Sequence, residues 1–374
     1  MERRTFVRSG VAAGVAAPFL SLPERLLAFE PVPSVPGTRA TVRLSSNENP
    51  LGMPDSARKA VIDALVNGNR YPMGKEELTD AVAKKHGVKP GNVVLGNGST
   101  EILQMVVQSL AGPGTRLVIG DPTFEHVEAY AAPFHIEVVK VPLRPDHTLD
   151  LAAMRQATRG ARGAALVFVC NPNNPTGTIV PCDDVESWIR ASTERTVFLV
   201  DEAYFDFVED PGYRTLTDLT AAPNVIVSRT FSKIYGLAGL RVGYGIALEE
   251  TADRLNEFAA NTNLNQLGIA AARACIDDQA YMKRSLQVNR QSREIAKKTL
   301  AELGIEALPS HTNFFMHRIP GSVGDHIRHM ADAGITIGRA FPPMLEWSRV
   351  SLGTPEEMGV WAQAMRDFRR QGWV

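Results

Sequence analysis

The stretch NVIVSRTFSKIYGLAGLRVGYGIAL, residues 224–248, decides the architecture. Its first seven residues form a β-branched apolar run that delivers Thr230, Ser232 and Lys233 at its carboxyl end, and a glycine-rich turn through Gly236, Gly239, Arg241 and Gly243 leads into a second run from Val242. Two hydroxyls, a lysine and an arginine therefore crowd one tight turn between two predicted strands. A lysine in a partly desolvated site beside other cations is the usual source of a nucleophilic amine for Schiff-base chemistry. The bland alternative is a solvated loop lysine.

Working outward, five more short apolar runs precede this pair: NVVLG at Asn92, RLVIG at Arg116, IEVVKV at Ile136, ALVFVC at Ala165 and TVFLVD at Thr196. Helical patterns separate them, as in Thr100–Leu110, where Ile102, Leu103, Val106, Val107 and Leu110 share one face at the 3.6-residue period. Seven strands alternating with helices predict an α/β fold, a mostly parallel seven-stranded sheet flanked by helices. A further helical stretch covers Leu264 to Leu303, in two pieces. The last hundred residues then change character: the runs NFFMHR at Asn313, ITIGR at Ile335 and SRVSLG at Ser348 alternate with helices near 323–333 and 355–371, predicting a smaller α+β domain. The expected boundaries are a signal segment at 1–28, an N-terminal arm at 29–67, a large domain at 68–262 and a small domain at 263–374.

In open α/β sheets, ligands bind beyond the carboxyl ends of the strands, so the residues following each run carry the chemistry. After NVVLG comes GNGSTE, where glycines permit close backbone approach and a helix N-terminus offers unpaired N–H groups to an anion. Ser99 or Thr100 acting as a plain helix cap is the competing reading. ALVFVC ends in NPNNPTG, a rigid turn able to fix the amide of Asn174. TVFLVD ends in DEAY, leaving the Asp201 carboxylate at the end of a buried run, which is costly unless a cation faces it or it serves as a cap.

Taken in order, SSNENPLG at Ser45, NRYP at Asn69, GNGSTE, NPNNPTG, DEAY, SKIYGLAGLR and RVSLGT resemble a fold-type I pyridoxal-phosphate aminotransferase, with the histidinol-phosphate aminotransferases as the most similar subgroup. The resemblance runs from about Val42 to the C-terminus. It implies pyridoxal 5'-phosphate as cofactor, with Lys233 forming the Schiff base and shuttling the Cα proton, and Asp201 paired with the pyridine nitrogen. Tyr204 and Asn174 are implied at the ring's phenolic oxygen, and Phe124 stacked on the ring. Ser99, Thr100, Thr230, Ser232 and Arg241 are implied at the phosphate, joined by Tyr71 from the other subunit of a homodimer. Arg349 is implied as the bidentate grip on the substrate α-carboxylate, and Asn49 as a further substrate contact.

The resemblance implies an amino-acid donor and a 2-oxo acid acceptor such as 2-oxoglutarate. The subgroup usually carries a tyrosine before its NENP motif, whereas this chain has PVPSVPG there, and the segment GRAFPPMLEW before Arg349 also departs from the usual form. These departures, with the export signal described next, turn the expectation from histidinol phosphate itself toward an aromatic, imidazole or other apolar amino acid. Phe341, Met344 and Trp347 stand at the substrate end or in the small-domain core. A decarboxylase, lyase or racemase of the same fold is the alternative reaction, and a non-catalytic periplasmic binding protein is a second alternative.

The N-terminus stands apart. Arg3, Arg4, Phe6 and Arg8 precede the apolar run Ser9–Leu22, which is shorter than the roughly 20 residues of a transmembrane helix. The pattern resembles a twin-arginine signal, implying a periplasmic location, with a cytoplasmic one if the segment is merely an amphipathic helix. FEPVPSVPG, residues 29–37, reads as an extended linker.

Composition agrees with a packed catalytic domain: of 374 residues, 44% are hydrophobic and 22% charged. With 40 Lys plus Arg against 41 Asp plus Glu, the near-zero net charge removes the electrostatic case for nucleic acid or an anionic membrane as a partner beyond the export step. Cys170, Cys182 and Cys275 lack Cys-x-x-Cys spacing, so neither a disulfide framework nor a zinc site is expected.

Overall fold

The computed structural model describes residues 42–374. The expected signal segment and the part of the arm before residue 42 lie outside the described residues. All seven expected runs are strands of one sheet: β2 (Val93–Gly96), β3 (Arg116–Asp121), β4 (Glu137–Pro142), β5 (Ala165–Cys170), β6 (Thr196–Asp201), β7 (Val225–Thr230) and β8 (Gly243–Ile246). They follow β1 (Val42–Leu44), which lies outside this sheet. The order is β2-β8-β7-β6-β5-β3-β4, with β8 antiparallel to both neighbours and every other pair parallel.

The central strands are buried almost throughout, and β5 is apolar at every position, because helices cover both faces. Along β5 the side chains alternate. Leu166 and Phe168 join Ile102, Leu103 and Val106 of the helix Ser99–Leu110, while Val167 and Val169 join Val185, Trp188 and Ile189 of the helix Cys182–Arg190. At the edge, β4 carries Glu137, Lys140 and Pro142 as exposed residues, which blunts pairing with another sheet. Strand order reverses between β3 and β5, and a crevice at such a switch point is where this architecture binds ligands.

The C-terminal body has β9 (Phe314–Arg318) antiparallel to β11 (Trp347–Ser351), and β10 (Ile335–Ile337) parallel to β1. Its core gathers Leu44, Phe315, Val350, Trp361 and Phe368. Its last helix, Pro355–Arg370, starts with a capping box in which Thr354 and Glu357 each accept from the other's backbone N–H.

Two stretches near the expected boundaries pack across them. The helix Gln266–Cys275, placed at sequence level in the small domain, contributes Ile269, Ala272 and Cys275 to the core formed with Val93, Leu95 and Tyr244 of the large sheet. The next helix, Gln279–Glu302, starts at Asp278, which caps it by accepting from Tyr281 N–H at 3.0 Å, and its Met282 and Leu286 pack on the same core. The stretch 42–67 is not a loose arm. β1 is a strand of the small body, and the helix Asp55–Ala64 places Ala57 in the large-sheet core.

Candidate active site

The carboxyl ends of β3, β5, β6 and β7, the N-terminus of the helix Ser99–Leu110 and the small body enclose a cavity of about 370 Å³. Eleven of the thirteen residues singled out from sequence line it: Ser99, Thr100, Phe124, Asn174, Asp201, Tyr204, Thr230, Ser232, Lys233, Arg241 and Arg349.

One end is a donor cradle. The helix Ser99–Leu110 begins after Gly98, and no side chain caps it, so Ser99 and Thr100 are not the plain caps that the bland reading required. Its first N–H groups, carrying the positive end of the helix dipole, remain available to an anion. Arg241 reaches the hydroxyls of Thr100 at 3.2 Å and Ser232 at 3.4 Å, and Thr230 donates to Ser232 at 2.9 Å. Two glycines keep the cradle open. Gly98 has φ +78°, and a Cβ there would lie 2.2 Å from the Arg241 guanidinium; a Cβ on Gly243 would lie 2.2 Å from Ser99 N.

Asp201 sits at the floor, 3% exposed, accepting on Oδ1 from Ser228 Oγ at 3.0 Å and Ala203 N at 3.2 Å. Burial pushes its carboxyl up to about 6, against the pull of those two hydrogen bonds. No described residue donates to Oδ2, so a positively charged N–H arriving from the cavity would relieve the buried charge. Lys233 is enclosed by protein and exposed only in part; its Nζ donates to Asn47 O at 3.2 Å. Burial, reinforced by the Arg349 cation, lowers its amine to about 8.

Arg349 arrives from β11 on the small body. It is 7% exposed and donates to Asn174 Oδ1 at 2.7 Å and Ser45 O at 2.9 Å, while its Nε has no hydrogen-bond partner. Among the described residues no carboxylate pairs with it, and burial brings the guanidinium down to about 10. A buried cation with an orphaned N–H and no counter-ion is poised for an incoming carboxylate.

Sequence reasoning missed the residue that ties this site together. Asn47, with φ +54°, donates from Nδ2 to Tyr204 Oη at 3.0 Å and from its backbone to Ser351 Oγ at 2.8 Å. Its Oδ1 accepts from Ser351, and its carbonyl accepts from Lys233 and from Asn313. The available signal was its place inside SSNENPLG, in an amide residue that tolerates the left-handed region. Glu125 and Arg339 also line the cavity and were not anticipated.

Two candidates fall elsewhere. Asn49, expected at the substrate, does not line the cavity; its amide joins Ile234 O at 2.9 Å and Ser285 Oγ at 3.0 Å, fastening the N-terminal segment to the helix Gln279–Glu302. Tyr71 lies away from the cavity and is 82% exposed. Of the three apolar residues near the substrate end, Phe341 lines the cavity, whereas Met344 and Trp347 pack with Leu308 and Met316.

Residues 39–365 match the family model for aminotransferase class I and II. The chain belongs to the class I and II aminotransferases. This aminotransferase is 36% identical to histidinol-phosphate aminotransferase of Moorella thermoacetica over 92% of each chain. It is 38% identical to histidinol-phosphate aminotransferase 2 of Ralstonia nicotianae over 84% of this chain and 85% of that protein. The crystal structure of histidinol-phosphate aminotransferase from Sinorhizobium meliloti in complex with pyridoxal-5'-phosphate superposes with a TM-score of 0.82 at 29% identity, covering 90% of this chain and 92% of that one.

The aminotransferase is a pyridoxal-phosphate enzyme, and its residues fit that cofactor. The uncapped helix end, three hydroxyls and Arg241 suit a phosphate; the Oδ2 of Asp201 suits a pyridinium N–H; Lys233 supplies an amine with a lowered pKa; and Phe124 offers a flat face. Its reaction takes an amino-acid donor and a 2-oxo acid acceptor.

Proposed function

We propose that this aminotransferase takes its amino group from an aromatic, imidazole or histidinol-phosphate-like amino acid and delivers it to a 2-oxo acid such as 2-oxoglutarate. The observation that carries the donor class is the ring of Phe341, whose centroid lies 4.5 Å from Cζ of Arg349. A donor held by Arg349 through its carboxylate, or through the phosphate in histidinol phosphate, thus extends its side chain along Phe341, toward the stacked pair of Phe124 and His126. Edge and face contacts of this kind favour planar side chains. The relatives named histidinol-phosphate aminotransferase support the imidazole member of the class.

Pyridoxal phosphate supplies an electron-poor ring that accepts the electron pair released at the substrate Cα. The rest is done by the chain. Arg349 binds the α-carboxylate, and Asn174, holding Arg349 through Oδ1, sets its angle. Lys233 Nζ, its amine lowered to about 8 by burial and the Arg349 cation, would take the proton from the substrate Cα and hand it to C4′ of the cofactor. Asp201 would hold its negative charge against the pyridine nitrogen, and Tyr204, tethered by Asn47, presents its hydroxyl into the same cavity. Enclosure between the two bodies limits water, so the proton that Nζ takes from Cα is not lost to solvent.

The test is a donor panel with 2-oxoglutarate, reading glutamate formation. Phenylalanine, tyrosine, histidine and histidinol phosphate are expected to outpace aspartate and alanine. Aspartate as the best donor would overturn the donor class, and carbon dioxide or the enantiomer as product would overturn the reaction.

Two assembly features belong to the same reading. Tyr71 reaches the phosphate cradle of a second copy, making the enzyme a homodimer. Arg3 and Arg4 begin a signal that carries the protein to the periplasm. Replacing both by lysine is expected to leave the protein in the cytoplasm, and unchanged periplasmic recovery would remove the localisation.

A further inference from the structure

Two guanidiniums face one aromatic ring in the cavity. Arg349 lies 4.5 Å and Arg339 4.3 Å from the Phe341 centroid, measured to Cζ, so the two cations are less than about 9 Å apart. They differ in their partners. Arg349 is buried and has no carboxylate partner among the described residues, whereas Arg339, half-exposed at the mouth, is ion-paired with Glu125. Glu125 comes from the segment after β3 on the large body, and Arg339 from the segment after β10 on the small body. The pair therefore bridges the two bodies across the entrance, and both partners line the cavity. Electrostatics couple the three groups: Arg339 destabilises the charge on Arg349, and Glu125 offsets it.

We infer that Glu125 is a specificity-determining residue, a built-in stand-in for the distal carboxylate of an acidic substrate, which must displace Glu125 from Arg339 in order to bind. The inference rests on the transamination reading for its substrates. The terminal carbons of an extended five-carbon diacid lie about 5 Å apart, given C–C bonds of about 1.5 Å. With one carboxylate on Arg349, the other reaches Arg339 past the edge of Phe341. A neutral aromatic side chain makes no such demand and leaves the Glu125–Arg339 pair closed over it. Exposed ion pairs contribute little net free energy, so this one can open at modest cost. One cavity thereby accepts an uncharged donor and a doubly charged acceptor in turn, and Glu125 sets the balance between them.

The experiment compares binding of glutarate and of pentanoate, a diacid and a monoacid of equal length, to the cofactor-loaded enzyme by titration calorimetry. Glu125→Gln is expected to tighten glutarate by about tenfold relative to pentanoate, and Arg339→Gln to weaken it by a similar factor. In the E125Q/R339Q double variant the gain disappears, because no cation remains for Glu125 to occupy. In turnover, the same variants should shift KM for 2-oxoglutarate against KM for pyruvate in the corresponding directions. An unchanged glutarate-to-pentanoate ratio in E125Q, or a gain that persists without Arg339, overturns the inference. Absence of turnover with every acceptor would instead overturn the transamination reading, while the calorimetric ratio would still decide the role of Glu125.

Discussion

At the scale of single residues, the site is a set of charges whose burial makes sense only with a ligand. Asp201 illustrates the sign of the effect. Its folded pKa of about 6 lies above the ordinary 3.8, so the folded apoprotein binds that proton more tightly than the unfolded chain does. Its contribution to stability is then lost as pH rises from about 4 through 6. Apoprotein carrying Asp201→Asn should unfold at a higher temperature than wild-type apoprotein at pH 8, with the gap narrowing toward pH 5. Pyridoxal phosphate should reverse the ranking, because only the carboxylate gains a cationic partner. A gap independent of pH, followed by scanning fluorimetry, would show that the charge is not the cause. Arg349 argues in the opposite chemical direction. It is a cation without an anion, and its two held nitrogens fix a fork that an ammonium cannot reproduce. Arg349→Lys is expected to raise KM for amino-acid donors and to lower kcat/KM by roughly a hundredfold, the scale of losing one member of a buried charge pair. Asp201 was legible in the sequence because it ends an apolar strand run, and Arg349 through the motif RVSLGT. Asn47 and the Glu125–Arg339 pair were not, since their meaning comes from partners about 160 to 300 residues away.

At the scale of elements, β8 and the helix Ser99–Leu110 shape the anion cradle jointly. Gly243 on β8 pairs with Gly96, and a Cβ on it would lie 2.2 Å from Ser99 N and 2.5 Å from the carbonyl carbon of Gly98. Backbone cannot yield as a flexible side chain does, so Gly243→Ala has to push the helix start away from Arg241. Cofactor retention through dialysis should fall by about tenfold or more, since the N–H groups and guanidinium no longer converge on one phosphate. The far-UV spectrum should remain native, because the displacement is confined to a helix terminus. Tight retention in Gly243→Ala would mean that the cradle is not where the phosphate binds. The same elements show what patterning reveals. Strands buried on both faces appear as unbroken apolar runs, as in β5 and in residues 197–200 of β6, and helix starts at Asn265, Asp278 and Thr354 announce themselves through capping side chains. β1 did not announce itself. Three residues carry no period, and only pairing with β10 makes them a strand. The helix Gln266–Cys275 was recognised as a helix, but its packing partners Val93, Leu95 and Tyr244 were not legible, because an apolar face states that it will be buried without stating against what.

At the scale of the whole molecule, the catalytic groups come from two bodies held together at the site itself. Asn47 joins Ser351 of the small body to Tyr204 and Lys233 of the large one, and Arg349 crosses to Asn174. A single chain still leaves Tyr71 unaccounted for, because it stands exposed beside the likewise exposed Leu65, Val66 and Met73. An exposed apolar and aromatic surface of this kind favours burial against a partner. If Tyr71 completes the cradle of a second copy, defects at Lys233 and Tyr71 must complement one another. In a hybrid dimer of Lys233→Ala and Tyr71→Ala chains, one site carries both lesions. The other combines an intact Lys233 with the intact Tyr71 of its neighbour. Random reassociation makes half the dimers hybrid, with one good site in two, so mixing two nearly inactive proteins should restore about a quarter of wild-type activity. The measurement is activity after co-refolding or subunit exchange, with sedimentation confirming the dimer. If Tyr71 serves its own chain, the hybrid contains no intact site and activity stays at the sum of the two parents. That result would confine the active site to one subunit.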